Sequence, residues 1–181
     1  MSTATNSLTE SGINTKTERT ASRRAESLAA RIEEGAAGLQ AFAEQLSDAE
    51  WLTPVSPTDK RSIGIIVHHV ASMYPIEVGV ARAVADGQSV AHVTWELVAQ
   101  INAKHAAENA HVSKAAAIEL LRQNSREAAA AVRAFTDEDL DRAAPLSLNS
   151  GAPLTAQFVI EDHALRHSWH HLRAIRKSVC R

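Results

Sequence analysis

The sequence predicts an all-α domain, an up-and-down four-helix bundle, on three observations. Apolar residues recur at three-, four- and seven-residue steps along long stretches, breaks rich in Pro, Gly and cap-forming residues separate those stretches, and no strand-like alternation persists beyond a few residues. A chain of 181 residues with 45% apolar and 22% charged content suits one domain with a proper core.

Residues 1–17 are rich in Ser, Thr and Asn and offer only Leu8 and Ile13 for burial, so they are expected to form a mobile tail ahead of a bundle domain over 18–181. From Glu18 the run ERTASRRAESLAARIEEGAAGLQAFAEQLSDAEW places Leu28, Ile32, Leu39, Phe42 and Leu46 on one helical face, which makes it the first helix. The segment LTPVSPTDKRS stops that helix with two prolines and offers Asp59 or Ser62 as the next cap. The second helix is expected from about Ser62 to Asp86, closed by Gly87, with Pro75 bending or splitting it near the middle.

A third helical region covers TWELVAQINAKHAAENAH and continues after Ser113 as the Ala-rich KAAAIELLRQNSREAAAAVRAFTDEDL, either as one helix or as two. APLSLNSGAP then reads as a turn, and the last helix runs from Leu154 to about Val179.

A net charge of -2 supplies no broad field for nucleic acid or an anionic membrane surface. The opening lacks the basic and apolar regions of a secretory signal, and no stretch approaches roughly 18 unbroken apolar residues. The single cysteine, Cys180, has no internal partner, which suits a reducing compartment. The expectation is a soluble cytoplasmic protein.

Nine histidines raise the question of a metal, and their direction matters more than their number. Stepping the last helix by roughly 100° per residue puts Ala156, Ile160, Ala164, Ala174 and Ile175 on one face and Arg166, Arg173, Arg176 and Lys177 opposite. His167 and His171 fall in the middle of the apolar face, one turn apart, a spacing at which two imidazoles can reach a common ion. His163 and His170 lie toward its edge. On the second helix, Ile66, Met73, Ile76, Val80 and Val84 share a side with His69, while His68 points away toward Arg82 and Asp86. Three neutral imidazoles are the protein ligand set of an open, catalytic-type zinc site, with a further position left for water or substrate.

Each histidine also has a plainer reading. A lone inward His69 can be a hydrogen-bonded core residue, although burying the His167/His171 pair without a shared partner would strand several polar nitrogens. His68, His92, His105 and His111 are assigned to solvent or loops, and Trp51, Trp95 and Trp169 to core or interface packing.

Two runs carry a family resemblance. DKRSIGIIVHHVASMYPIE resembles the second-helix motif of the DinB-like four-helix metalloproteins, in which a metal-binding His at the position of His69 is followed by an aliphatic residue. HALRHSWHHLRAI resembles the last-helix motif of that family, a His-x-x-x-His pair and then an Ile, matching His167 and His171. VAQINAKHAAENAHVS and FTDEDLDRAAP are similar to the segments flanking its third helix, so the resemblance spans Glu18 to Ile175. His68 and His163 stand as reserve ligands, since a shift of one residue or one turn would exchange them for His69 or for a member of the pair.

The resemblance implies a metal-dependent thiol transferase or hydrolase, and a homodimer. Imidazole ligands suit Zn²⁺ or Ni²⁺, which make water or a low-molecular-weight thiol nucleophilic at neutral pH against a small-molecule substrate. Glu77, two turns beyond His69, reads equally as a general base, as an acceptor behind a ligand or as a solvated carboxylate. A bundle that binds metal without catalysis is the alternative function.

Overall fold

The computed structural model describes residues 22–179, so the expected tail over 1–17, the predicted helix start at Glu18 and Cys180 lie outside the described residues. Ser22 opens α1 (Arg23–Gln45) by accepting from the Ala25 amide, and Ala25, Leu28, Ala29, Ile32, Ala36, Leu39 and Ala43 bury one face at helical steps. The predicted first helix does not run on to Trp51. Its backbone becomes extended at Leu46, and Ser47 restarts the chain as α2 (Asp48–Trp51) through a reciprocal capping box with Glu50.

Ser62 then caps α3 (Ile63–Ala85). Gly64 in its first turn lets the buried Trp51 indole lie against the backbone, since a Cβ there would stand 2.4 Å from Trp51 Nε1. That Nε1 donates to Val112 O at 3.2 Å. By length and apolarity α3 is the one described helix that could cross a membrane, yet it is the central core helix, buried on more than one side. Helix α3 runs unbroken through Pro75, where a bend or split was expected. Proline removes the donor that would reach the Ala71 carbonyl, and Asn124 Nδ2 donates to that carbonyl instead at 2.9 Å.

The third region divides into two helices with different roles. Helix α4 (Trp95–Glu108) is capped by Thr94 and buries no residue, whereas α5 (Lys114–Arg133), capped by Ser113, buries Ala117, Leu121, Ala128, Ala129 and Val132. The continuation TDEDL forms a separate short helix, α6 (Asp137–Asp141), behind a Thr136–Asp139 capping box.

The predicted turn is a small hairpin. Strand β1 (Ala143–Leu146) pairs antiparallel with β2 (Ala152–Thr155), in register Ala143 with Thr155 and Leu146 with Ala152. Leu154 is therefore in a strand, and the last helix starts two residues later than predicted, at Ala156. It is a composite of α7 (Ala156–Val159), a π-helical stretch over Ile160–Leu165 and α8 (Arg166–Val179).

Helix α1 packs on α5, α5 on α3, α3 on the composite last helix, and that helix back on α1. The four long helices thus close into a bundle in which α1 and α3 occupy one diagonal, and α5 and the last helix the other. This arrangement places α3 directly beside α8, the contact on which the candidate site is built.

Candidate metal centre

His69 lies two turns into α3, only 6% exposed, and faces α8. His167 and His171 stand one turn apart on α8 and meet it across the interface. Ring centroids are 5.0 Å apart for His69–His167, 5.8 Å for His69–His171 and 4.8 Å for His167–His171. One nitrogen from each of the three lies within 4.8 Å of the others. The three predicted residues therefore come together.

The reserves do not join them. A π-helical turn carries one more residue than an α-helical turn, so everything before it is rotated by about 100° relative to a continuous α-helix. The stretch over Ile160–Leu165 ends just before His167, and this removes His163 from the column it would otherwise share with His167 and His171. His68 is also half-buried and does not point toward Arg82 and Asp86. Its Nδ1 lies 2.9 Å from His105 Nε2, and the two rings stack with centroids 5.1 Å apart. His105 was assigned to solvent or a loop, but it sits on α4 against His68 and edge-on to His69 at 5.4 Å. Its signal in the sequence was the stripe Val98, Asn102, His105 and Ala106, the half-buried side of α4.

Glu77 is buried and not a solvated carboxylate: it is 7% exposed, and its Oε1 lies 2.7 Å from His167 Nδ1. The approach is not aligned as a hydrogen bond, so His167 Nδ1 and Glu77 Oε2 are buried polar atoms without a hydrogen-bond partner. Neighbouring Ile76, placed inward by the helical wheel, is 53% exposed. The inner face of α3 is set by contact with α5 on one side and α8 on the other, which turns Glu77 inward and Ile76 out. One turn earlier, Tyr74 Oη and Ser168 Oγ share a buried hydrogen bond of 2.6 Å that ties α3 to α8 between the two α8 histidines; sequence reasoning did not find this pair. Trp51 is core as expected, whereas Trp95 is 68% exposed.

Burial, and then the neighbouring His167, push the His69 imidazole down to about 3, while burial with His167 and His69 pushes His171 down to about 2. Both are neutral at physiological pH, with lone pairs free to donate. Asp59 and Arg61, paired at 2.7 Å in the loop before α3, lie close enough for the arginine to add to both shifts.

This donor set suits a borderline transition metal. A tetrahedral ion held at about 2.0 to 2.1 Å needs nitrogens roughly 3.4 Å apart, so the present spread would have to close by at most about 1.4 Å, within the range of small side-chain rotations. Stranded polar atoms at His167 and Glu77 fit the same requirement, since buried groups without partners mark a site shaped for something further.

Comparison with known proteins agrees with this architecture. A solved structure, YfiT from Bacillus subtilis, described as a probable metal-dependent hydrolase with an unusual four-helix bundle topology, superposes with a TM-score of 0.68 at 18% identity, over 84% of each chain. No curated protein matches the sequence. Residues 15–175, nearly the whole length, match the sequence profile of the DinB superfamily. With the bundle and the histidine cluster already in place, that match settles the family: the chain belongs to the DinB superfamily.

Proposed function

We propose that the chain is a metal-dependent enzyme in which His69, His167 and His171 hold one Zn²⁺ or Ni²⁺ and leave a coordination position open to a small molecule. The observation that carries this reading is the convergence of three imidazole nitrogens within 4.8 Å, from two helices, with a buried carboxylate behind one of them. Three nitrogens, with no fourth protein ligand among the described residues, is the pattern of catalytic zinc, whereas structural sites are closed by four.

Such an ion, when bound, supplies Lewis acidity that makes a nucleophile available at neutral pH and polarises an electrophilic substrate. The protein does the rest. His69 and His171, kept neutral by burial, donate without first losing a proton. Glu77, 2.7 Å from Nδ1 of His167, stands behind that ring, where a carboxylate can orient a ligating imidazole and raise its basicity. Hydrolysis of a small ester or amide is the reading supported by the description of YfiT. Transfer to a low-molecular-weight thiol is supported by the likeness of the two histidine motifs to a family that includes thiol-dependent transferases.

The test combines metal content with turnover. Wild-type protein loaded with Zn²⁺ or Ni²⁺ is expected to carry one ion per chain and His171→Ala less than a tenth of that, with turnover of an ester and electrophile panel lost in parallel. Turnover that needs added thiol selects transfer, and turnover in water alone selects hydrolysis. Equal metal content in wild type and His171→Ala would overturn the site.

A further inference from the structure

The pairing of His68 with His105 lies outside the three-histidine cluster, and it joins α3 to α4, the least buried long helix among the described residues. Helix α4 is fastened at both flanks. Before it, Val90 exchanges backbone hydrogen bonds with Pro145 and Ser147 at 3.0 and 2.9 Å, and Ser147 Oγ donates to Val93 O. After it, Val112 O accepts from the buried Trp51 indole.

Between these anchors, fourteen residues bury nothing, while Trp95, Leu97 and Ile101 are exposed. Among the described residues, the only side-chain hydrogen bonds that leave α4 are those of His105, to His68 at 2.9 Å and, at 3.5 Å, to Ser72. The ring of His105 also rests edge-on against His69. His105 Nδ1 is buried without a partner, which leaves the contact short of full satisfaction. A segment tied at its ends, with no fully buried residue in its middle and hydrogen-bonded to the body through one side chain, belongs to the low-stability end of a fold, from which lids are drawn.

We propose that α4 is a hinged strap over the three-histidine cluster, latched by His105 on His68, and that lifting it is how small molecules and the ion reach His69. The proposal rests on the metal reading for what the strap encloses, but the latch itself is independent of it. The joints lie between the anchors and the helix, at Thr94 just past Val93 and in the turn over 109–112. His105 is a positioning residue here, not a ligand. Its removal frees the strap and takes one ring contact from His69, but leaves all three donors in place.

Amide hydrogen exchange and metal stripping test this together, on wild type, His105→Ala, His68→Ala, the double variant, and Lys104→Ala as a control on the exposed side of α4. Amides of 95–108 should exchange faster than those of 114–133 in wild type. His105→Ala should accelerate the 95–108 amides by a further factor of about 5, the equilibrium worth of one ordinary hydrogen bond, and a chelator should strip bound Zn²⁺ faster by a similar factor at unchanged stoichiometry. His68→Ala should do the same, and the double variant no more. The latch is overturned if the 95–108 amides are as protected as those of α5, or if His105→Ala behaves as Lys104→Ala. Loss of the Zn²⁺ equivalent in His105→Ala would overturn it too, by making His105 a ligand. Wild type that binds no Zn²⁺ would defeat the metal reading alone, and the exchange comparison would still decide the latch.

Discussion

Replacing Glu77 with Gln separates a carboxylate that serves the metal from one that merely fills the core. The substitution keeps shape and removes charge at a position 7% exposed, 2.7 Å from His167 Nδ1. Carboxylates behind a ligating imidazole raise its basicity and fix its orientation, and losing one lowers metal affinity by about 10- to 100-fold, or about 1.4 to 2.7 kcal/mol.

Binding to the folded state stabilises it by RT ln(1 + [L]/Kd), so at a saturating Zn²⁺ concentration the metal-induced stabilisation should shrink by that same amount. For a chain of this length 1 kcal/mol corresponds to about 2 to 4 °C in Tm, so the Zn²⁺-induced rise in Tm should be roughly 3 to 11 °C smaller in Glu77→Gln. Without metal the sign reverses or vanishes. Glu77 Oε2 is buried with no partner, and replacing a buried charge by a neutral amide relieves desolvation, so the metal-free variant should melt no lower than wild type. Differential scanning calorimetry with and without Zn²⁺ gives both numbers. An unchanged metal-induced shift together with a lower metal-free Tm would show that Glu77 is a structural partner only.

Two further outcomes follow from the same buried polar groups. His69 and His171 lie far below the ordinary histidine value when folded and regain it when unfolded, so below pH 6.5 the unfolded chain binds more protons. Metal-free stability should therefore be full above about pH 6.5 and fall as pH drops toward 3, by up to about 1.4 kcal/mol per pH unit for each of the two, and a Tm that is flat from pH 7 to pH 5 would contradict their burial as neutral groups. Tyr74→Phe strands the fully buried Ser168 hydroxyl and should cost about 1 to 3 kcal/mol, while Tyr74→Phe with Ser168→Ala should cost less than the sum of the two single changes; strict additivity in denaturant melts would mean that the 2.6 Å contact couples nothing.

Local periodicity carried much of this protein. The faces of α1, α3 and α8 follow from 3.6-residue steps, and the same steps placed His69, His167 and His171 inward. Caps and breaks located most boundaries, because Ser62, Thr94 and Ser113 act on amides three residues away. The sequence could not show which helices adjoin, since ring order depends on how whole faces match.

For the same reason it placed Ile76 inward and gave Glu77 no settled side. Contact with both α5 and α8 decides that the carboxylate goes in and the isoleucine out. Nor did it foresee an intact helix at Pro75, because the donor that replaces the proline's missing N–H comes from Asn124, 53 residues beyond the Ala71 carbonyl it satisfies. The hairpin at 143–155 arises from backbone pairing between two four-residue segments too short to alternate visibly. The widened turn over Ile160–Leu165 obeys no local pattern, and it rotates His163, already toward the edge of the face, relative to the cluster.

Chain chemistry thus determined the helices and the donors they carry, because both depend on residues within a turn or two of each other. Tertiary packing decided which donors meet, what stands behind His167 and what covers His69, because those contacts are distances between helices that no sequence spacing encodes.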